Sequence, residues 1–267
     1  MIGYVKRLGK EIKETWKEDR STLIVYFTLR ALVILCMVLQ ILRGDLQNVL
    51  LCVLTLILLL IPFFVEKYMK IDMPNVLEII TMLFVFSAEI LGEINNFYGM
   101  IPFWDTMLHT LNGFLMGAIG FSLVDILNKN SDKLNLSPVY LCLFAFCFSM
   151  TVGVAWEFFE YGMDEIMKTD MQKDEYVSVI RTVTIDPEQN NNVITIDNIA
   201  KTIVYDEEGK ELVKFDGYLD IGLKDTMKDL IVNFIGAAVF NIFGFLYLKN
   251  KEKHSFVEKI MIKRKEV

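Results

Sequence analysis

The chain has 267 residues, 54% of them hydrophobic, and a formal net charge of −7 at pH 7. Its mean hydropathy of +0.41 is high for a water-soluble domain, and the apolar residues come in blocks long enough to cross a bilayer. The sequence has no clustered basic face, so nucleic acid is excluded as a partner and membrane lipids are expected instead.

The N-terminal arm, residues 1–20, has apolar side chains at helical spacing among Lys and Glu. Val5, Leu8, Ile12 and Trp16 predict an amphipathic helix that lies on the membrane surface. The arm is strongly charged and no small-residue cleavage site follows the first apolar block, so we expect no cleaved signal peptide.

Six apolar blocks of about 20 residues follow, and each predicts a membrane-spanning helix. They are Leu23–Leu42, Leu46–Val65, Asn75–Tyr98, Trp104–Leu127, Val139–Glu160 and Thr226–Leu248. The predicted fold is therefore an all-α polytopic membrane protein. Residues 21–160 hold five spans and residues 225–248 hold the sixth.

Lys and Arg gather on one side of the membrane if these six spans alternate in direction. They occur in the N-terminal arm, in the connections after spans two and four, and in the tail, residues 249–267. Because basic connections are retained on the cytoplasmic side, both termini are predicted to be cytoplasmic.

The polar stretch 161–224, between spans five and six, carries fourteen acidic against seven basic residues. Alternating, β-branched residues predict strands in this stretch, and Gly209 can supply the positive φ of a hairpin turn. The strand-like segments are Tyr176–Asp186, Val193–Ile196, Ile203–Tyr205 and Leu212–Phe215. We therefore predict a small β-rich extracytoplasmic insertion.

Polar side chains recur inside the spans at three- and four-residue intervals, which place each pair on one helix face. The pairs are Glu89/Glu93, Asp105/His109, His109/Asn112, Glu157/Glu160, Asp225/Asp229 and Asp229/Asn233. In the predicted topology all of them fall in the outer half of the bilayer. Since intramembrane ionisable groups are costly and usually face a bundle interior, four such stripes predict one polar site open to the extracytoplasmic side.

Charge balance indicates what this site binds. Seven carboxylates meet one histidine, and spans three to five contain no Lys or Arg, so bound cations or bound protons are needed. Carboxylates with one imidazole suit Mg²⁺, Mn²⁺ or Ca²⁺, whereas Zn²⁺ usually takes more His or Cys. The predicted metal ligands are Glu89, Glu93, His109, Glu157 and Asp229. The predicted supporting residues are Asp105, Asn112, Asp225 and Asn233.

Structural roles are the alternative for these polar residues. Membrane helices use buried polar pairs as packing contacts, and Asp105, Glu160 and Asp225 lie near predicted helix ends, where capping also fits. Gly113 and Gly236 predict close approach between helices.

Motifs in spans three to six resemble a bacterial family. They are Glu89-Ile-Leu-Gly-Glu93, FYGMIPFWDTMLHTLNGFLMG, GVAWEFFEYGMDEI and YLDIGLKDTMKDLIVNFIGA. In this order they resemble the inner-membrane proteins typified by YjdF. The Asp-x3-His and Asp-x3-Asp-x3-Asn elements are similar, more distantly, to those of VanZ-type membrane proteins. The resemblance implies a location in a bacterial plasma (inner) membrane and a helical fold, and it supplies no reaction.

Three functions fit these observations. The first is a divalent-metal-assisted hydrolase or transferase on a lipid or lipid-linked substrate, with His109 and Glu160 as catalytic residues. The second is a cation- or proton-coupled transporter that loads ions on the same carboxylates. The third is a membrane-embedded partner or sensor protein.

Overall fold

The computed structural model describes residues 20–131 and 134–264, so the predicted N-terminal surface helix lies outside the described residues. The helices are α1 Arg20–Arg43, α2 Leu46–Leu58, α3 Ile61–Met69, α4 Asn75–Phe86, α5 Phe97–Met100, α6 Trp104–Lys129, α7 Pro138–Met167, α8 Leu223–Lys249 and α9 Ser255–Glu258. Contacts divide the chain into two compact units, residues 1–153 with 232–267 and residues 154–231. Each is described by itself.

Five helical stretches in the described part of the chain are long and apolar enough to cross a membrane. They are Arg20–Arg43, Leu46–Tyr68, Trp104–Lys129, Pro138–Met167 and Leu223–Lys249. Five of the six predicted blocks thus have a matching helix, and the structure also has the predicted strand-rich region.

The third predicted span, Asn75–Tyr98, differs from the prediction. It begins as α4 and continues as a π-helix over Ser87–Ile94. The Asn95 N–H donates to the Ile90 carbonyl over 3.1 Å, which is the five-residue spacing of a π-helix. Glu89 and Glu93 therefore do not have the α-helical relation that their spacing predicted, because the turn that joins them is wider.

The ends of two other helices also differ from the prediction. α7 continues to Met167, so Glu160 lies about two turns before its end and not in its last turn. Asp164, in the last turn of α7, accepts through its carboxylate from the main-chain N–H groups of Met171 and Gln172, which follow the helix. α8 begins at Leu223, three residues before its predicted start.

The first unit is held together by close helix packing. A Cβ added at Gly113 of α6 would lie 2.0 Å from the carbonyl oxygen of Asn233, and one at Gly236 would lie 2.0 Å from that of Thr110. Lipid offers apolar side chains as favourable a surface as protein does, so helices associate where small residues allow such approach. The predicted role of these two glycines in close helix packing is confirmed.

The cytoplasmic tail predicted from the sequence is partly folded. Val257, Met261 and Ile262 are buried, and the Ile262 N–H donates to the Ser122 hydroxyl of α6 over 3.1 Å. Beyond them, β8 (Lys263–Arg264) pairs antiparallel with β1 (Ile71–Asp72). The tail up to Arg264 therefore belongs to the first unit.

The second unit, residues 154–231, contains three antiparallel strand pairs. They are β2 (Tyr176–Val177) with β7 (Tyr218–Leu219), β3 (Ile180–Thr182) with β4 (Ile194–Ile196), and β5 (Thr202–Tyr205) with β6 (Glu211–Phe215). The hairpin around Gly209 is confirmed, and Gly209 has a φ of 80°.

The predicted strand Tyr176–Asp186 is wrong in its second half. Strand structure ends at Thr182, and the Asp186 carboxylate organises the following loop. It accepts from the main-chain N–H groups of Asn190 and Asn192, each over 2.9 Å, and from that of Glu188 over 3.3 Å. These donors, first that of Asn192, lower the pKa of the Asp186 carboxyl below its usual value.

Candidate functional site

Asp105 and His109 form a carboxylate–imidazole pair at the start of α6. Asp105 lies in the first turn of the helix and His109 one turn later, with 3.4 Å between Asp105 Oδ1 and His109 Nε2. His109 is buried and Asp105 is half-buried. The predicted four-residue spacing thus brings the two side chains together.

Asp229 lies about two turns into α8, in the second unit, and is 1% exposed. It was predicted as a metal ligand together with His109, and Asp105 was predicted as a supporting residue. A carboxylate buried to this extent is costly to keep ionised without a cation or a proton.

Asn112 and Asn233 are joined directly. Asn112 Nδ2 donates to Asn233 Oδ1 over 2.9 Å, which links α6 to α8 one turn beyond His109 and Asp229 in their helices. Asn233 Nδ2 also lies 3.6 Å from Met150 Sδ, and a Cβ at Gly153 would lie 2.7 Å from the same nitrogen. The two amides are therefore fixed by packing, and they hold α6 against α8 at this level.

Glu89 lies in the π-helix and is 2% exposed. Its Oε2 atom is buried and has no hydrogen-bond partner within residues 20–131 and 134–264. The π-helix packs against α2 and α6. Glu93 is half-buried. A buried carboxylate oxygen of this kind calls for a proton or a cation.

Glu157 and Glu160 are both buried on α7. Trp156 Nε1 donates to Glu160 Oε1 over 2.9 Å, so the indole fixes the orientation of this carboxylate. The four-residue spacing of Trp156 and Glu160 was visible in the sequence, although we predicted no role for the tryptophan.

Asp225 is buried in the first turn of α8. The main-chain N–H of Lys173 donates to Asp225 Oδ2 over 2.8 Å, and Nζ of Lys228, one turn later in α8, lies 3.8 Å from Oδ1. The hydrogen bond from Lys173 ties the first turn of α8 to the segment that precedes β2, which fits a structural role for Asp225.

The sequence profile of a family described as "Predicted membrane protein (DUF2238)" matches residues 24–187. The chain belongs to this family. The matched part of this DUF2238 protein includes Asp105 and His109 and ends before Asp229. The comparison does not test the resemblances to YjdF and to VanZ-type proteins, which stay predictions.

A protein of Thermotoga maritima, named only "Uncharacterized protein", is 31% identical to this DUF2238 chain over 106 residues. The alignment covers 40% of the chain and 53% of the relative, so the chain spans about half the length of the curated relative it matches. No solved structure matches the chain.

Proposed function

We propose that this DUF2238 protein is a divalent-metal-dependent hydrolase or transferase that acts on a lipid or lipid-linked substrate within the membrane. The supporting observation is the pair of Asp105 and the buried His109, whose Oδ1 and Nε2 atoms lie 3.4 Å apart. Asp229, which is also buried, is the third donor that we propose. Ionisable groups of this kind are costly at membrane depth without a cation to bind.

The donor set favours Mg²⁺, Mn²⁺ or Ca²⁺. Two of the three donors are carboxylate oxygens, which these hard cations prefer, and one imidazole is compatible with Mn²⁺ in particular. Zn²⁺ sites usually contain more nitrogen or sulfur ligands. Glu89, Glu93 and Glu157 are the further ligands that we propose from the sequence.

The bound ion would polarise a phosphoryl or acyl oxygen of the substrate and lower the pKa of a water molecule. Glu160 is the proposed general base, and its hydrogen bond from Trp156 supports this role because a base must be held in orientation. We propose six spans with both termini cytoplasmic in a bacterial plasma membrane, an arrangement that opens the site to the extracytoplasmic side.

Metal analysis of the purified chain tests the proposal, because the two histidines of the chain provide a matched pair of variants. Wild type and His254→Gln are expected to carry one divalent ion per chain after incubation with Mn²⁺ and removal of excess metal. His109→Gln is expected to carry none. A wild type without stoichiometric metal, tested with Mg²⁺, Mn²⁺, Ca²⁺ and Zn²⁺, contradicts the proposal.

A second candidate function is cation- or proton-coupled transport. The observation that favours it is the buried Oε2 of Glu89, which has no hydrogen-bond partner among the described residues. In proteoliposomes, Glu89→Gln would then abolish ion flux, and flux by the wild type would survive removal of divalent metal with a chelator. Flux that needs the metal, or an absence of flux, favours the enzyme instead.

A further inference from the structure

A cavity of about 640 Å³ lies wholly within residues 154–231, and none of the proposed metal ligands lines it. Its walls include Val177, Val179, Ile180 and Leu223, and two cationic side chains, Arg181 and Lys224, also line it. The cavity therefore combines a hydrocarbon lining with positive charge.

These two basic residues lie in a part of the chain that is acidic as a whole. Residues 161–224 carry fourteen acidic against seven basic residues, yet two of those seven line one cavity. Among the described residues, no carboxylate forms a salt bridge with Arg181 or Lys224, and both residues are exposed. Their charges are therefore available to a ligand.

The acidic residue of the lining, Asp220, is occupied by the main chain. Its Oδ1 accepts from the N–H of Glu175 over 2.9 Å and its Oδ2 from that of Lys224 over 2.8 Å. These bonds hold the carboxylate in the loop that leads into α8, and its one negative charge is outnumbered in the lining by Arg181 and Lys224.

The rim of the cavity is apolar and lies next to a membrane helix. Ile221 is 81% exposed and Leu223, the first residue of α8, is 65% exposed. Ile221 has a φ of 51°, a left-handed conformation that is costly for a β-branched residue. Because α8 is long and apolar enough to cross a membrane, its first residues would lie near the lipid headgroups when it does so.

We propose that this cavity binds the phosphate headgroup of an anionic phospholipid. Arg181 and Lys224 neutralise the phosphodiester, Arg181 with its planar guanidinium and Lys224 as a point charge. The aliphatic wall and the exposed Ile221 contact the glycerol backbone and the first acyl carbons. The proposal concerns binding alone and does not depend on a metal or on catalysis at His109.

Native mass spectrometry of the full-length chain in detergent tests this, with phosphatidylglycerol, phosphatidylcholine and glycerol phosphate as separate probes. Wild type is expected to retain phosphatidylglycerol on the order of tenfold more tightly than phosphatidylcholine, as two basic groups at a lipid surface allow. Arg181→Gln with Lys224→Gln is expected to lose this preference.

The matched control is Lys201→Gln with Lys210→Gln, which removes the same charge from exposed positions of the same unit outside the cavity. This control is expected to keep the preference. Equal retention of the two lipids by wild type, or equal loss in both double variants, overturns the proposal. So does binding of glycerol phosphate as tight as that of the lipid. All four substituted side chains are exposed, and an unchanged unfolding midpoint confirms that each variant is folded.

Discussion

Asn112 and Asn233 share a hydrogen bond of 2.9 Å between α6 and α8, immediately beside two glycines that let the same helices touch. A Cβ at Gly113, next to Asn112 in the chain, would lie 2.0 Å from the carbonyl oxygen of Asn233. Hydrogen bonding and steric fit thus act at the same level of the two helices. The hydrogen bond and the glycine contacts together determine how closely α6 and α8 pack at this level.

A double-mutant cycle with Asn112→Ala and Asn233→Ala is expected to give a coupling energy of about 0.6–2 kcal/mol, the usual range for a polar contact between membrane helices. Thermal or denaturant unfolding in detergent measures it. Asn241→Ala, which removes an amide that donates only within α8, provides a control to be paired with Asn112→Ala, and that pair should be additive. Strict additivity of Asn112→Ala with Asn233→Ala would show that the hydrogen bond is not formed.

Replacing glycine by alanine should destabilise the fold where the glycine touches another helix, and should not where the space beside it is open. Gly113→Ala and Gly236→Ala should each destabilise the fold by about 1–3 kcal/mol, because the new methyl group meets backbone that cannot move aside. Gly162→Ala in α7 meets no atom within 4 Å and should be neutral or stabilising by up to about 1 kcal/mol. Unfolding midpoints in detergent compare the three. A loss at Gly162 equal to that at Gly113 would contradict the assigned contacts.

Local patterns were enough to predict several parts of the fold. Apolar blocks of the right length predicted helices that the structure contains, and Gly209 between two alternating segments predicted the β5–β6 hairpin. Four-residue spacing predicted the pairing of Asp105 with His109, since an α-helix brings such residues together wherever it occurs. Each of these features is determined by residues that lie close together in the sequence.

The parts that the sequence did not reveal depend on contacts between distant segments or on an altered backbone. The π-helix that contains Glu89 has the same apolar composition as an α-helix, so composition gives no sign of it. The end of the strand at Thr182 depends on Asp186, whose carboxylate gathers N–H groups from a loop further along the chain. The burial of Asp229 depends on helix rotation, which periodicity alone does not fix.

Removal of one carboxylate from the proposed metal site should abolish stabilisation by metal. A divalent ion at about 100 times its Kd should stabilise the wild type by about 2.7 kcal/mol, and Asp229→Asn should lose this gain. Asp125→Asn, which removes a buried carboxylate paired with Lys129 on α6, should keep it. The measurement is the unfolding midpoint with and without Mn²⁺ or Mg²⁺. Equal gains in the wild type and in Asp229→Asn would contradict the assignment of Asp229 as a ligand.

The loop after β3 should depend on the ionisation of Asp186. Its folded pKa is lowered, so the stabilisation is fully present above the unfolded value of 3.8 and is lost as the pH falls through the lower folded value. Asp186→Asn should remove the charge at every pH, and the amides of Asn190 and Asn192 should then exchange hydrogen severalfold faster at pH 7. Hydrogen-exchange mass spectrometry of this loop measures the effect.

Asp197→Asn is the matched control for that experiment, because the Asp197 carboxylate is exposed and accepts from the side chain of its neighbour Asn198. It should leave exchange in the Asp186 loop unchanged. As the pH falls through the lowered folded pKa of Asp186, wild-type exchange, corrected for the intrinsic rate, should approach that of Asp186→Asn, because the carboxylate becomes protonated. If protection at Asn190 and Asn192 is the same in Asp186→Asn as in the wild type at pH 7, the ionised carboxylate does not hold this loop.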